Sequence, residues 1–302
     1  MDHVKEKGLS STWYCIFRTQ KSTIMKNDLS LNLSYDYLQE IRLAHAIAET
    51  GFNLFIARGQ RVRFQRLEQV FSVSFPEQKE SVPRIDDIEI RHKGQVPHTR
   101  IGEISRSLIW PHAVLRHCRS LWQDDRPLDY CFLGLVTSPR KRWLANILGQ
   151  KVPGFFKGLK KLKLQVTLNN ILAQLGYPTG RILITATTRG RTFPGKSWDE
   201  EYYAIMASSK FILCPSGDAG CPWTYRFFEA MLCGAIPVVE TVTSVYSPFY
   251  FLSQEDKAAD FVYRKEIALA NYELCKQLLT VPHKDFTEEL RRLIALKESV
   301  NA

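Results

Sequence analysis

The residues best suited to chemistry in this sequence are an arginine and a glutamate three positions apart, Arg226 and Glu229. In a helix, that spacing places both side chains on one face. Arg226 would stand in the first turn, where unpaired N–H groups and the helix dipole attract an anion. A guanidinium there can fork onto a diphosphate, and a carboxylate one turn further on can accept hydrogen bonds from a ribose. A surface ion pair, worth about 0.2–0.5 kcal/mol, has the same spacing and is the alternative.

Two strands and a turn must position this pair. Phe211–Cys214 is an apolar run typical of a buried strand, and Ile236–Val239 is another. The first strand runs into a Pro-Ser-Gly turn, and the helix that carries the pair begins near Trp223. Since open α/β sheets bind ligands at the carboxyl ends of their strands, the turn and the helix entry are predicted to face one ligand. Ser216, Gly217 and Trp223 therefore join the candidate site.

The run from Ser209 to Glu240 resembles the carboxyl-terminal domain of exostosin-like glycosyltransferases. That family shows a strand, a Pro-Ser-Gly turn, an Arg-x-x-Glu-Ala helix and a Gly-x-x-Pro-Val step. The corresponding residues here are Pro215-Ser216-Gly217, Arg226-Phe227-Phe228-Glu229-Ala230 and Gly234-Ala235-Ile236-Pro237-Val238. The resemblance implies a GT-B fold and a nucleotide-sugar donor, with Arg226 on the donor diphosphate and Glu229 on the donor ribose.

The rest of the chain alternates strand-like and helix-like segments, which predicts an α/β protein with parallel sheets. We expect a GT-B architecture, in which two Rossmann-like domains face a central cleft. The expected division is an acceptor-binding domain over 1–126, a nucleotide-sugar-binding domain over 127–280, and a last helix within 281–302 that packs back on the first domain. In the first domain, strands are predicted at Trp13–Arg18, Asn53–Ala57, Val70–Phe75 and Ile85–Ile90, and a helix at Tyr35–Thr50.

A second segment, Tyr130–Arg142, has the strand, glycine, polar turn and basic helix start with which many GT-B donor domains open. Gly134 would allow a ligand or backbone to approach closely, and Arg140 and Arg142 could meet the donor phosphate or sugar. A solvated basic helix end explains the two arginines equally well. Thr187 and Arg189 follow the strand predicted at 182–186 and are candidates for the uracil or sugar side of the site, with a plain polar loop as the alternative.

An inverting transferase needs a base to take the proton of the acceptor hydroxyl, and in GT-B enzymes that base usually comes from the amino-terminal domain. His98, in what reads as the polar loop 97–100, is the first candidate, followed by Glu103 and Asp87. An ordinary surface histidine is the alternative. The sequence contains no Asp-x-Asp motif and no Cys-x-x-Cys pair. We therefore predict no metal site, and expect Arg226 and the helix N-terminus to stabilise the leaving group.

Composition narrows the class of protein further. The chain has 302 residues, 45% of them hydrophobic, and a formal net charge of +10, which suggests an anionic partner. No zinc-finger or RNP-like motif supports nucleic acid, and no Gly-x-Gly-x-x-Gly supports a dinucleotide oxidoreductase. The basic segment 140–163, with interleaved aromatics, is a candidate for peripheral membrane contact or a solvated helix face. The absence of an apolar leader and of a long apolar run, and seven cysteines that read mostly as reduced core thiols, predict a soluble cytoplasmic protein.

Together these features predict a hexosyl- or pentosyltransferase that moves a sugar from a nucleotide sugar, with a UDP-sugar favoured, to a glycan hydroxyl. The transfer is expected to be inverting and independent of metal, with the nucleotide sugar as co-substrate and no other cofactor. The alternatives are a non-catalytic module that binds nucleotide sugar or glycan, and a fucosyltransferase-like or O-glucosyltransferase-like enzyme with a different donor.

Overall fold

The first half of the chain is built on a small parallel sheet. The structure, a computed structural model, describes residues 27–77, 82–155, 161–187, 198–217 and 221–301. The elements of this half are β1 (Asp28–Leu31), α1 (Leu38–Ala48), β2 (Asn53–Phe55), α2 (Gln65–Phe71) and β3 (Arg84–Ile85). The strands are parallel in the order β2-β1-β3. Gly51, at φ +85°, reverses the chain after α1, a conformation in which glycine is favoured.

An antiparallel ribbon follows β3 and extends the first half. It consists of β4 (Ile88–Arg91), β5 (His98–Ile101) and β6 (Ile104–Arg106), and helix α3 (His112–Ser120) follows. In β5, Thr99 and Ile101 are fully buried, whereas His98 and Arg100 between them are half-buried. That alternation is the period of a strand with one covered face.

The second half is a five-stranded parallel sheet in the order β11-β10-β9-β7-β8. Its elements are β7 (Leu128–Gly134), α4 (Ser138–Lys151), α5 (Leu162–Gln174), β8 (Ile182–Ala186), α6 (Glu200–Ala207), β9 (Ser209–Cys214), α7 (Tyr225–Leu232), β10 (Ile236–Val239) and β11 (Leu252–Ser253). Two helices complete the chain, α8 (Lys265–Leu279) and α9 (His283–Asn301). The helices cover the faces of the sheet, as parallel strands require.

The structure confirms the predicted α/β class with parallel sheets. Two local expectations are wrong. The segment 70–75 is not a strand, because α2 runs to Phe71 and the chain then turns away. The segment 97–100 is not a loop, because His98–Ile101 pairs with both β4 and β6. The strand predicted at 13–18 lies outside the described residues.

The two halves share one hydrophobic core. This core joins residues of the first half, such as Leu29 and Ile41, to residues of the second, such as Phe228 and Met231. A second cluster fills the other face of the larger sheet, around Phe132. The halves are therefore held together by buried apolar surface, which is the main favourable term in folding.

The segment at the boundary of the two predicted domains, around Arg126, is packed onto the second half. The Trp122 indole donates to the Leu232 carbonyl at 2.8 Å. The buried Arg126 guanidinium donates to the carbonyls of Ser209 at 2.7 Å and Cys233 at 3.0 Å. Since Cys233 is the C-cap of α7, Arg126 satisfies a carbonyl that the helix itself leaves unpaired.

The last helix, α9, lies against the first half. Its apolar residues, among them Phe286 and Leu290, are buried in the shared core. On its polar side, the Glu289 carboxylate accepts the Glu103 N–H at 2.7 Å, and Lys297 forms an ion pair with Asp86. Helix α9 thereby covers β3 and the start of the ribbon.

Two aromatic side chains of the basic segment 140–163 are buried. Trp143 and Phe155 are buried in the second core cluster, so these two rings are part of the protein interior. Phe156 and Leu159 lie outside the described residues. Among the helices that the structure describes, none is long and apolar enough to cross a bilayer. Five cysteines are free and buried, at 118, 131, 214, 233 and 275, as predicted for core thiols.

His45 makes the stability of the fold depend on pH. Burial lowers the pKa of His45 to about 3, so the folded protein excludes a proton that the unfolded chain takes up near pH 6.5. This contribution to stability is complete above pH 6.5 and is lost as the pH falls from 6.5 toward 3. Between pH 7.5 and 5.5 we expect His45 to lower the free energy of unfolding by about 1.4 kcal/mol.

Urea unfolding of the wild-type protein and of His45→Gln at both pH values measures this effect. The variant should lose less stability on acidification, because glutamine does not titrate. Other histidines contribute equally to both proteins and cancel in the comparison. Equal pH dependence of the two proteins would show that His45 is not the group responsible.

Candidate functional site

The amino-terminal end of α7 lies at the carboxyl edge of the larger sheet. Strand β9 ends at Cys214 and is followed by the Pro-Ser-Gly turn. Helix α7 begins after Thr224, whose side chain accepts the Arg226 N–H at 3.4 Å as an N-cap. The Thr224 N–H donates to the Tyr246 hydroxyl at 2.8 Å. The first turn of α7 is thus fixed at the edge where α/β sheets bind ligands.

Arg226 extends from α7 across to the end of β7. Its Nε donates to the Leu133 carbonyl at 3.0 Å, and its guanidinium carbon lies 4.5 Å from the centre of the Phe132 ring. A Cβ on Gly134 would come within 2.1 Å of Nη2, so glycine leaves room for the guanidinium in this position. Arg226 is 9% exposed, and none of the described carboxylates pairs with it. A buried cation without a counter-ion is costly, which suits a site for an anion.

Arg140 joins the neighbouring loops at the same edge. Its Nε and Nη2 donate to the Ser216 carbonyl at 3.2 and 3.1 Å, and its Nη1 donates to the Leu135 carbonyl at 3.1 Å. The Ser216 N–H in turn donates to the Glu240 carboxylate at 2.9 Å. Three strand ends are therefore linked: those of β7, β9 and β10. The predicted residues Arg140, Ser216 and Arg226 all lie at this edge.

The remaining residues predicted to bind the donor lie in different parts of the structure. The Thr187 N–H donates to the Gly134 carbonyl at 2.9 Å, at the same strand ends. Arg142 is exposed on α4, and Trp223 is buried against Tyr225 at 4.9 Å between ring centres. Arg189 lies outside the described residues. Gly217 stands against the Cys221 carbonyl, which a Cβ would approach to 2.3 Å.

Glu229 occupies a different environment from the one predicted. It has no exposed surface, so it does not form a surface ion pair with Arg226; its contact with a donor ribose stays a prediction. One oxygen accepts from Arg42 Nη2 at 2.6 Å, and the other accepts from the Tyr202 hydroxyl at 2.9 Å. The two residues of the pair diverge: Arg226 runs along the sheet edge, and Glu229 points into the junction of the two halves.

Arg42, on α1, is a residue that sequence reasoning missed. It is 6% exposed, and its guanidinium carbon lies 3.3 Å from the Trp110 ring centre and 5.1 Å from the Tyr225 ring centre. The sequence held a hint of this role, because polar residues surround α1: Gln39, Glu40, Arg42 and His45. The structure shows that these residues are all buried. Polar residues on every side of a buried helix indicate partners elsewhere in the chain.

Gln39 provides the second polar contact between the halves. Its amide nitrogen donates to the His98 carbonyl at 3.2 Å and to the Thr99 hydroxyl. Its amide oxygen accepts the Tyr225 hydroxyl at 3.0 Å. The residue next to Arg226 is thereby connected through α1 to the ribbon of the first half.

The three candidate bases are not brought together. Asp87 forms an ion pair with Arg100, and Glu103 lies near Arg292 of α9 with most of its side chain exposed. Both stand at the end of β5 that is remote from His98. Since a strand rises about 3.4 Å per residue, the four residues of β5 separate them from His98 by roughly 10 Å. The three are therefore separate alternatives for the base.

The side chain of His98 shares the outer face of the ribbon with charged residues. Cross-strand partners lie on one face, and the register pairs Arg91 with His98 and Glu89 with Arg100. A hydrogen bond from Arg91 does most to lower the pKa of Glu89, and the charges of Arg91, His98 and Arg100 add to it. His98 therefore faces away from Thr99, whose side chain meets Gln39. Among the described residues, no group of three or more His, Cys, Asp or Glu is placed to hold a metal ion.

Part of the chain matches a known protein family and a known protein. Residues 171–278 match the exostosin GT47 domain, and this stretch contains Ser216, Arg226 and Glu229. A protein of Physcomitrium patens described as "Probable glucuronosyltransferase 47 A" is 32% identical over 101 residues. Those residues are 33% of this chain and 21% of that protein, so the match spans about a fifth of the relative's length.

Solved structures of glycosyltransferases are also similar to this chain. AviGT4, a glycosyltransferase involved in avilamycin A biosynthesis, is 14% identical, and the match covers 85% of this chain and 89% of that one with a TM-score of 0.42. Sucrose-phosphate synthase from Thermosynechococcus elongatus is 12% identical, with 85% and 61% covered and a TM-score of 0.32.

The Arg42–Glu229 pair should contribute strongly to stability because both groups are buried. Removing one partner leaves the other charge uncompensated, so Arg42→Met is expected to lower the free energy of unfolding by about 3–5 kcal/mol. The double variant Arg42→Met/Glu229→Gln should lose less than the sum of the single losses, because no unpaired charge then remains. Urea unfolding of the single and double variants measures the coupling.

The chain offers a matched control in Arg66 of α2, which also pairs across the halves, with Glu200 of α6. Both side chains of that pair are exposed, so Arg66→Met should cost less than about 1 kcal/mol. Similar losses in Arg42→Met and Arg66→Met would contradict the stabilising role assigned to the buried pair.

Proposed function

We propose that the protein transfers a sugar from a nucleotide-sugar donor to a glycan hydroxyl, because residues 171–278 match the exostosin GT47 domain and part of the chain matches a glucuronosyltransferase-like protein. A UDP-sugar is the favoured donor. The match to a protein named as a glucuronosyltransferase makes UDP-glucuronic acid the first donor to test. The donor is proposed to bind at the carboxyl edge of the larger sheet, over the first turn of α7.

The observation that carries this proposal is the environment of Arg226. Its guanidinium is nine-tenths buried, has no described carboxylate partner, and lies beside the amino-terminal end of α7. A helix N-terminus favours a negative charge through its dipole. A diphosphate would neutralise the guanidinium beside this helix end, which explains why the position holds an arginine despite the cost of burying it.

The neighbouring contacts support a preorganised donor site. Arg140 and Glu240 both hold the Ser216 backbone, so the turn after β9 is fixed relative to the ends of β7 and β10. A site that is already in place spends less of its binding free energy on ordering loops. Glu229 is given another role here: it fixes α7 to α1 through Arg42, and thereby holds the helix that presents Arg226.

We further propose that the transfer is inverting and does not require a metal ion. When the glycosidic bond to the diphosphate breaks, the leaving oxygen gains negative charge. Arg226 and the dipole of α7 stand where they can stabilise that charge, which is the function that electrostatic groups serve in a preorganised site. The acceptor would approach from the first half of the chain, which contributes α1 and the ribbon to the junction beside α7.

Donor binding can be tested by thermal unfolding with UDP, UDP-glucuronic acid, UDP-glucose, GDP-fucose and a CMP-sugar. A ligand at one hundred times its Kd should stabilise the protein by about 2.7 kcal/mol, and we expect UDP and UDP-sugars to do so. Arg226→Ala should weaken binding by about ten- to hundredfold, because a hydrogen-bonded charge is lost. Stabilisation by none of these nucleotides would overturn the proposed function.

Gly134→Ala tests the same site without removing the arginine. The new Cβ would overlap Nη2 of Arg226, and the flexible guanidinium can move aside, so the variant should fold yet bind UDP more weakly. The matched control is Arg181→Ala, an exposed arginine that precedes β8 at the opposite edge of the sheet. Equal UDP affinity in Gly134→Ala, Arg181→Ala and the wild-type protein would place the donor elsewhere.

A further inference from the structure

The ribbon of the first half turns one histidine outward and another inward. Ile88 and Ile90 of β4 pair with Ile101 and Thr99 of β5 and pack toward the core. His92 follows Ile90 by two residues and so continues this inner face, because side chains alternate along a strand. His98 belongs to the other face. The two histidines, close in sequence, therefore have different surroundings.

The ring of His92 lies on Tyr37, the residue that caps α1. The two rings are stacked, with 3.7 Å between their centres and 30° between their planes. Both side chains keep part of their surface exposed, so a ligand can reach them. Stacking on an aromatic ring fixes the orientation of the imidazole and covers one of its faces, while its edge, which carries the nitrogens, stays available.

His92 also adjoins the loop that leads from the Pro-Ser-Gly turn into α7. Its backbone carbonyl accepts a hydrogen bond from the Cys221 thiol at 3.3 Å. Cys221 lies against Gly217, since a Cβ added at Gly217 would stand 2.3 Å from the Cys221 carbonyl oxygen. Two contacts thus connect His92 to the end of β9, where the donor is proposed to bind.

We propose that His92 is the catalytic base that takes the proton of the acceptor hydroxyl; this inference depends on the proposed function. The O–H bond of the acceptor breaks and its proton passes to an imidazole nitrogen of His92. The acceptor oxygen forms the new bond to the anomeric carbon, and the bond from that carbon to the diphosphate breaks. The nucleoside diphosphate leaves with the electron pair, beside Arg226.

The protonation state of His92 is compatible with this role. Burial, and after it the charge of Lys93, lower the pKa of His92 below its ordinary value. The imidazole is therefore neutral near pH 7 and able to accept a proton. Tyr37 positions the ring, and its own function in this scheme is orientation.

Slow hydrolysis of UDP-glucuronic acid, with water as the acceptor, provides a direct test on the full chain. UDP release is measured for the wild-type protein, for His92→Ala and for His283→Ala, a variant of an exposed histidine at the start of α9, and UDP affinity is measured for each by thermal unfolding. We expect His92→Ala to release UDP at least about a hundredfold more slowly, the loss typical of a missing general base, with UDP affinity unchanged. His283→Ala should retain the wild-type rate.

Addition of free imidazole distinguishes a chemical role from a structural one. Imidazole should restore part of the rate of His92→Ala and should leave His283→Ala unchanged. If His92→Ala does not fold, His92→Gln is used instead, because glutamine is polar and of similar size but is not a base. The same loss of rate is expected. A wild-type rate in His92→Ala or His92→Gln, or loss without imidazole rescue, would overturn the role of His92 alone. Absence of both UDP binding and UDP release in the wild-type protein would overturn the proposed function with it.

Discussion

The Glu229 carboxylate and the Arg42 guanidinium meet 2.6 Å apart at the junction of the two halves, with almost no exposed surface on either side chain. Taking two charges out of water is costly, and the cost is recovered only with good geometry and further hydrogen bonds. Tyr202 supplies one of these bonds to Glu229, and the Trp110 ring stacks on Arg42. The position of α7 relative to α1, and hence of every side chain that α7 presents, depends on this pair.

One consequence of this arrangement is a separation of charges along α7. Glu229 is neutralised by an arginine from the first half, so it does not neutralise Arg226, which stands one turn away on the same helix. Arg226 is left with a backbone carbonyl and an aromatic ring as its described partners. The same interaction that joins the halves therefore keeps a positive charge available at the edge of the sheet. Stability and anion binding are coupled through one helical turn.

Sequence reasoning succeeded where the signal is local. The strand at Ile182–Ala186 was predicted with its bounds, because an apolar run between polar turns has few other solutions. It failed at residues 70–75, since a short apolar run fits the end of a helix as well as a strand. It failed at His98 because the outward residues of a half-covered ribbon are as polar as a loop. The burial of Glu229 was not predictable locally, because its partner lies 187 positions away in the chain.

The position of α9 affects how the first half folds during chain synthesis. It covers β3 and donates apolar side chains to the core that both halves share. The amino-terminal sheet, although made first, thus stays partly uncovered until residues near 290 have emerged from the ribosome. During that interval its apolar surface is accessible to chaperones or to other nascent chains. A short protein tag attached after α9 would leave this step intact, whereas removal of α9 would expose the first half for the lifetime of the protein.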